Sequence, residues 1–188
     1  MTMVKIHYEE AMKRFVHLLE TSLTREQVFN KIIKEVEESS ETWDKVARKI
    51  IGDVVRRVYN QLFPEGKLKE AVYVEGQGTP IAWRRPYNLF GSEGIYPDIA
   101  ILKPVRIAIE LDHSGAGHSA GSRFKMALAK ASFAYLSGDW DYCIVLFHNH
   151  SGRLMKPYLS REREKEVLRL YEEHLNTRVI LYEGSMRV

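Results

Sequence analysis

The chain has 188 residues, of which 45% are hydrophobic, so it is long enough for one domain with a buried core and short for two. Charged residues make up 28% and give a formal net charge of +3, which excludes a strongly basic tail, so an anionic partner would have to meet a local patch. The single cysteine, Cys143, excludes a disulfide framework, and no apolar run approaches the roughly 20 residues of a membrane span. We therefore expect a soluble, cytoplasmic protein.

Apolar residues recur at helical spacing in three segments near the start of the chain, residues 6–19, 24–36 and 41–62. The second segment begins with Thr24 and has Gln27 three residues later, a capping-box pattern that predicts a helix start at Thr24. The third ends where Pro64 and Gly66 interrupt the periodicity. We predict that residues 1–38 form an N-terminal helical addition and that the third helix opens the core.

The remaining elements are strands and helices in alternation. A short strand is predicted at residues 71–76, and the stretch YPDIAILKPVRIAIELDH, residues 96–113, predicts two strands around a turn at Pro104. A helix at 122–136, a strand at 142–148, a helix at 160–174 and a strand at 177–183 follow. Residues 41–148 thus read helix, three strands, helix, strand, and 149–188 add a helix and a strand. We predict one α/β domain over residues 1–188.

Three acids lie in the two predicted strands where core residues belong. Because side chains alternate along a strand, Glu110 and Asp112 share one face of the second strand, and Asp98 shares a face of the first with Ala100. If the two strands pair antiparallel through a tight turn at Pro104, Asp98 lies directly opposite Glu110.

Two carboxylates in direct opposition destabilise a sheet unless a cation or a proton lies between them. A hard divalent ion such as Mg²⁺ binds one or two carboxylates plus waters, and the backbone carbonyl of Leu111 could add another oxygen. The acids are therefore candidate metal ligands. The alternative is a structural salt-bridge network of Glu110 and Asp112 with cations, of which the candidates are Arg106, Arg123 and Lys125.

The combination of Pro97-Asp98 with Glu110-Leu111-Asp112 on the next strand resembles the motif of the PD-(D/E)XK nuclease superfamily, which includes type II restriction endonucleases and repair nucleases. The resemblance covers roughly residues 41–148. It implies a restriction-endonuclease-like core with a mixed central sheet flanked by helices, and Asp98 and Glu110 as metal ligands. It also implies hydrolysis of phosphodiester bonds with Mg²⁺, for which Mn²⁺ is a substitute.

The chain departs from the family pattern at Asp112, where the usual residue is a lysine that orients the attacking water. Lys125 in the following helix is our candidate surrogate, with Lys130 behind it. Alternatively, Asp112 is a third ligand or itself orients the water. If none of these holds, the domain has kept the fold and lost catalysis.

Other residues of the chain suit contact with nucleic acid. Guanidinium and aromatic groups on an irregular connection suit phosphate contacts and base stacking, and a loop rich in Gly, Ser and His before a helix suits anions. The candidates are Trp83, Arg84, Arg85, Tyr87, His113, His118 and Arg123. The spacing of the loop excludes a P-loop or dinucleotide motif, so no nucleotide cofactor is expected. His148-Asn149-His150 has no further zinc ligands at familiar spacing, and we interpret it as a strand end.

From these patterns we expect a Mg²⁺-dependent DNA endonuclease, for example a small restriction enzyme. By analogy with site-specific cutters of duplex DNA, it would act as a homodimer. The alternatives are a catalytically inactive protein that binds nucleic acid or assembles on it, and a structure-specific repair nuclease or RNA nuclease with the same metal chemistry.

Overall fold

The computed structural model describes residues 2–77, 96–115, 119–151 and 155–184, with side chains from residue 9 onward. These residues fall into two compact units. The first contains the described residues up to 77 together with 99–105, and the second contains residues 96–98 and those from 106 onward. Both units contain helices and strands, so the protein belongs to the α/β class. None of the described helices has the length and apolar character that crossing a membrane requires.

The first unit is built around a long helix that packs on a strand pair. It comprises α1 (Thr2–Arg25), α2 (Val28–Glu38), α3 (Trp43–Leu62), the single turn α4 (Leu68–Ala71), β1 (Val72–Val74) and β2 (Ile99–Ile101). Strands β1 and β2 pair antiparallel. The apolar face of α3 packs into the core, where Val46 and Ile51 are fully buried. Gly52 lets α3 approach β1, because an added Cβ would lie 2.8 Å from a Val74 methyl group.

One local prediction in this unit is wrong. The capping-box pattern placed a helix start at Thr24, but α1 runs on to Arg25 and α2 begins at Val28. Gln27 occupies the N-cap position with a left-handed backbone, φ 50°, and its side chain does not cap the helix. The backbone N–H of Gln27 instead donates to the carbonyl of Thr24, so a tight turn between two helices uses the residues of the pattern.

The second unit is a parallel sheet with helices packed on it. It comprises β3 (Ile107–Ser114), α5 (Ala120–Leu136), β4 (Tyr142–Asn149), the single turn α6 (Lys156–Leu159), α7 (Glu162–Leu175) and β5 (Thr177–Glu183). Strand β4 pairs parallel with β3 on one side and with β5 on the other. Helix α5 packs on β3 and β4, where Phe124 meets Phe147 edge to face with ring centroids 5.3 Å apart. Its buried alanines, among them Ala127 and Ala131, let it lie close to the sheet.

An ion pair between Arg106 and Asp141 joins the starts of two strands at the amino end of the parallel sheet. Arg106, just before β3, places its guanidinium 3.1 Å from Asp141, just before β4, and its backbone N–H also donates to that carboxylate. Partial burial of Asp141 opposes ionisation, but the hydrogen bonds from Arg106 outweigh it and lower the pKa of Asp141. Arg106 therefore pairs with Asp141 and stabilises the amino end of the sheet.

Candidate functional site

Asp98 lies beside the stretch of β3 that carries the other two acids. It precedes β2, and its Oδ2 accepts a hydrogen bond of 2.8 Å from the backbone N–H of Leu111. The residue is half-buried and follows the buried Pro97. A backbone donor fixed in a strand stabilises the carboxylate and orients it. The structure thus brings Asp98 next to the segment that separates Glu110 from Asp112.

Glu110 and Asp112 are buried carboxylates on one face of β3. Glu110 is 2% exposed and Asp112 is 6% exposed. Strand alternation places them on the face that carries α5, since the register sets Asp112 beside Phe147, which contacts Phe124 of that helix. One oxygen of Asp112 accepts the backbone N–H of His113 at 2.8 Å. Burial penalises an ionised carboxylate, so this arrangement needs positive charge nearby.

Helix α5 supplies that positive charge from two positions. Arg123 Nη1 lies 3.7 Å from Asp112 Oδ1, and Lys130 Nζ lies 3.8 Å from Glu110 Oε2. Both distances exceed the ~2.7–2.9 Å of a charge-assisted hydrogen bond, so the ions attract one another without such a bond. The cationic side chains are 43% and 37% exposed, respectively. The two acids are therefore buried at the sheet, and the two cations beside them are partly exposed to solvent.

The structure distinguishes the two lysines considered as surrogates. Lys125 lies on the exposed side of α5, about 200° around the helix from Arg123. Lys130 is two turns after Arg123 on nearly the same face, and its ion pair is with Glu110. The geometry therefore favours Lys130 over Lys125 as the lysine of the site, whereas its catalytic role stays a prediction.

A cluster of three histidines at the carboxyl end of the sheet was not predicted. His113 and His148 are register partners on β3 and β4, and His150 follows directly. His113 Nδ1 lies 3.1 Å from His150 Nε2, and the rings of His148 and His150 are 4.8 Å apart between centroids. Gly115 and Gly184 leave room for the rings, since a Cβ at either would lie about 3.1–3.2 Å from an imidazole atom. Alternation places these rings on the face opposite Glu110 and Asp112.

Burial opposes protonation of two members of the histidine cluster, His148 and His150. Burial, together with the neighbouring His150 and His113, lowers the pKa of His148 to about 3. Burial and His113 also lower the pKa of His150. The signal that could have revealed the cluster is topological, because carboxyl ends of neighbouring parallel strands meet at one edge of a sheet. His113 and His148 each end an apolar strand, but only the strand order makes them neighbours.

The remaining candidates fall in two groups. Arg123 and His113, predicted as nucleic-acid contacts, lie at the carboxyl half of the sheet described above. Trp83, Arg84, Arg85, Tyr87 and His118 lie outside the described residues. Among residues 2–77, 96–115, 119–151 and 155–184, no group of three or more His, Cys, Asp or Glu side chains could hold a metal ion. The ligand set of Asp98, Glu110, Asp112 and the carbonyl of Leu111 stays a prediction.

Comparisons with known proteins assign no family to the chain. No protein-family model, no curated protein and no solved structure matches it. The function has to be argued from the side chains and their surroundings.

Proposed function

We propose that the protein is a Mg²⁺-dependent endonuclease that hydrolyses phosphodiester bonds of DNA. The observation that carries the proposal is the contact of Asp98 with the backbone N–H of Leu111, between two nearly buried carboxylates of the same strand. Burial of the Glu110 and Asp112 carboxylates is costly for stability, and such costly burial is typical of a functional site. The resemblance of Pro97-Asp98 and Glu110-Leu111-Asp112 to the PD-(D/E)XK motif supports the same reaction class.

The donor atoms fit Mg²⁺ or Mn²⁺. Carboxylate oxygens are the ligands these hard ions prefer, and Mg²⁺ needs only one or two carboxylates because it keeps several waters. Asp98 and Glu110 would hold the ion, and the Leu111 N–H would keep the Asp98 carboxylate oriented. Bound there, the ion would polarise the scissile phosphate and make a bound water more acidic.

The cations of α5 have separate roles in this proposal. The Lys130 amino group lies 3.8 Å from Glu110 and the side chain is partly exposed, which suits a residue that donates to the attacking water. Arg123 lies two turns nearer the start of the same helix face, where its guanidinium would contact a backbone phosphate of the substrate. In this arrangement Asp112 stands at the sequence position of the usual motif lysine but has a different role. Its carboxylate orients Arg123.

A second function is favoured by the same ion pairs. Each buried acid of β3 already has a cation near it, so the charges are largely compensated without any metal. A protein that binds nucleic acid through this fold, without cleaving it, would show this arrangement too. The two functions differ in one measurable property, which is cleavage.

The experiment that tests the proposal is cleavage of supercoiled plasmid, single-stranded DNA and RNA by purified protein. Reactions contain Mg²⁺, Mn²⁺, Ca²⁺ or EDTA, and DNA affinity is measured in Ca²⁺. We expect cleavage of DNA with Mg²⁺ and Mn²⁺ and binding alone with Ca²⁺. Binding without cleavage under every metal would establish the second function, and cleavage of RNA alone would correct the substrate.

Replacing Lys130 with Met is expected to slow DNA cleavage about 10²–10⁴-fold, the range for loss of a proton-transfer or water-orienting group. The matched control is Lys125→Met, on the exposed side of the same helix, which should cleave at the wild-type rate. Rates are compared at saturating Mg²⁺, with helix content checked by circular dichroism. Equal rates for Lys130→Met and the wild type would remove Lys130 from the mechanism.

A further inference from the structure

Helix α5 carries three cations and no acid. Its sequence, AGSRFKMALAKASFAYL, contains Arg123, Lys125 and Lys130 and has no aspartate or glutamate. By contrast, α7, with the sequence EREKEVLRLYEEHL, has five glutamates and three Lys or Arg residues. Helix α5 is therefore the more cationic of the two helices, and a partner that lies along it gains from negative charge.

Large apolar side chains are exposed on the same helix. Met126 is 55% exposed and Phe133 is 39% exposed. They are seven residues apart, so they lie on one side of α5, about 10 Å apart along its axis. A single exposed apolar residue is ordinary, but two in line on one helix face form a surface that a partner can cover.

This apolar pair lies directly beside the cations that accompany the buried acids. Each residue advances by about 100° around an α-helix, which places Met126 about 60° from Arg123 and about 40° from Lys130. Phe133 is about 60° from Lys130 in the same direction. The two cations in turn lie between the apolar pair and the face that packs on the sheet, where Ala131 is buried. The result is one line of alternating cationic and apolar side chains, which we call the α5 ridge: Arg123, Met126, Lys130 and Phe133.

Alternating cations and apolar groups fit a nucleic-acid strand. Phosphates attract guanidinium and ammonium groups, and bases present flat faces on which aromatic side chains stack. Methionine also packs on rings through its polarisable sulfur. A membrane surface fits less well, because an interfacial helix inserts its main apolar face into the lipid, and α5 buries that face, with Phe124 and Leu128, within the protein.

On the basis of the nuclease function proposed above, we propose that the α5 ridge binds a DNA strand whose bases are unpaired next to the bond that is cleaved. The substrate is then single-stranded DNA or the unpaired part of a duplex. Arg123 holds one phosphate of the strand, and Lys130 lies at the reacting phosphate. Met126 and Phe133 contact the faces of its bases. Bases in an intact duplex stack on one another and present their edges, so contacts with base faces need unpaired bases.

The test measures the affinity of the full chain for a fluorescently labelled DNA oligonucleotide by anisotropy in Ca²⁺, as a single strand and annealed to its complement. The wild type is expected to bind the single strand at least about fivefold more tightly than the duplex, the effect of one stacked base. Phe133→Ala should weaken binding of the single strand about 5–150-fold and reduce this preference. Phe133→Trp keeps a ring for stacking and should bind at least as tightly as the wild type.

The matched control is Leu136→Ala, because Leu136 is exposed on the same helix but lies outside the α5 ridge. It is 62% exposed, more than Phe133, and lies about 120° around the helix from Lys130. Its replacement should leave the affinity for the single strand unchanged. A second variant, Met126→Glu, makes the test independent of the aromatic ring. Its carboxylate repels phosphate and should weaken binding at least about tenfold at low salt.

Two readouts separate this proposal from the nuclease itself, since cleavage with Mg²⁺ tests the nuclease and affinity in Ca²⁺ tests the α5 ridge. If the protein cleaves DNA but Phe133→Ala and Met126→Glu bind the single strand as the wild type does, the ridge proposal is overturned and the nuclease stands. Equal affinity of the wild type for single strand and duplex, or tighter binding to phosphatidylserine vesicles than to DNA, would also overturn it. Loss of single-strand binding in both variants of a protein that never cleaves would support the ridge and remove the nuclease.

Discussion

Replacing Glu110 with Gln is expected to reduce Mg²⁺-dependent DNA cleavage by at least about 10²–10³-fold, because a metal-ligand carboxylate contributes several kcal/mol of transition-state stabilisation. Gln keeps the volume of the side chain at a position that is 2% exposed, so packing is preserved. It also removes a buried charge, and the Lys130 side chain that loses this ion pair is 37% exposed, so it can be hydrated. The melting temperature should therefore change by less than about 5 °C.

The loss is measured as a single-turnover cleavage rate, with Ca²⁺ affinity determined by calorimetry on the same sample. Asp98→Asn should behave alike, since the amide oxygen can still accept the Leu111 N–H while the charge is gone. Glu162→Gln, on a side chain that is 97% exposed, is the control and should leave both quantities unchanged. If Glu110→Gln cleaved at the wild-type rate, Glu110 would be a partner of Lys130 and no more.

Replacing His148 with Gln is expected to make the protein markedly less sensitive to acid. Burial lowers the pKa of His148 from 6.5 to about 3 in the folded protein. Between these pH values the unfolded chain binds a proton that the folded chain does not, so stability falls as the pH falls. The slope is ~1.4 kcal/mol per pH unit for one group, and the loss begins near pH 6.5. Above that pH the residue contributes no pH dependence.

The measurement is the free energy of unfolding in urea at pH 7, 6, 5 and 4. His148→Gln should lose less stability than the wild type over this interval, although it is somewhat less stable at pH 7 because Tyr182 loses a ring contact. The exposed His17 provides the control, and His17→Gln should follow the wild-type curve. Parallel curves for all three proteins would mean that His148 is protonated at a higher pH than its burial implies.

The apolar periodicity of the sequence was sufficient to predict the long helices and strands and insufficient to predict the short ones. The helix predicted at 41–62 is α3, and the strand predicted at 142–148 is β4. Each is long enough for the apolar repeat to outweigh local exceptions. The single turns α4 and α6 were not predicted, because four residues do not complete a repeat. The start of α2 was wrong because the Thr24 pattern is short and α1 continued through it.

The site was predictable where it depended on strand alternation and unpredictable where it depended on tertiary packing. Alternation and the turn at Pro104 placed Asp98 near Glu110, and Asp98 does contact the next residue, Leu111. Helix α5 is apolar around most of its circumference, so its sequence does not reveal which side faces the sheet. The side of α5 that faces the sheet decides whether Lys125 or Lys130 lies near the acids. The histidine cluster depends on the parallel order of β3 and β4, which residue spacing along the chain does not contain.

The two cations of α5 that lie near β3 also determine the net charge around the three acids. Asp98, Glu110 and Asp112 carry three negative charges when ionised, and Arg123 and Lys130 carry two positive ones, which leaves one negative charge in excess. A polyanion is repelled by that excess. A divalent ion bound as proposed would reverse it to one positive charge, so these residues would attract phosphate after the ion has entered and repel it before. Under the proposed function, this charge balance would make the metal ion the first ligand to bind and the nucleic acid the second.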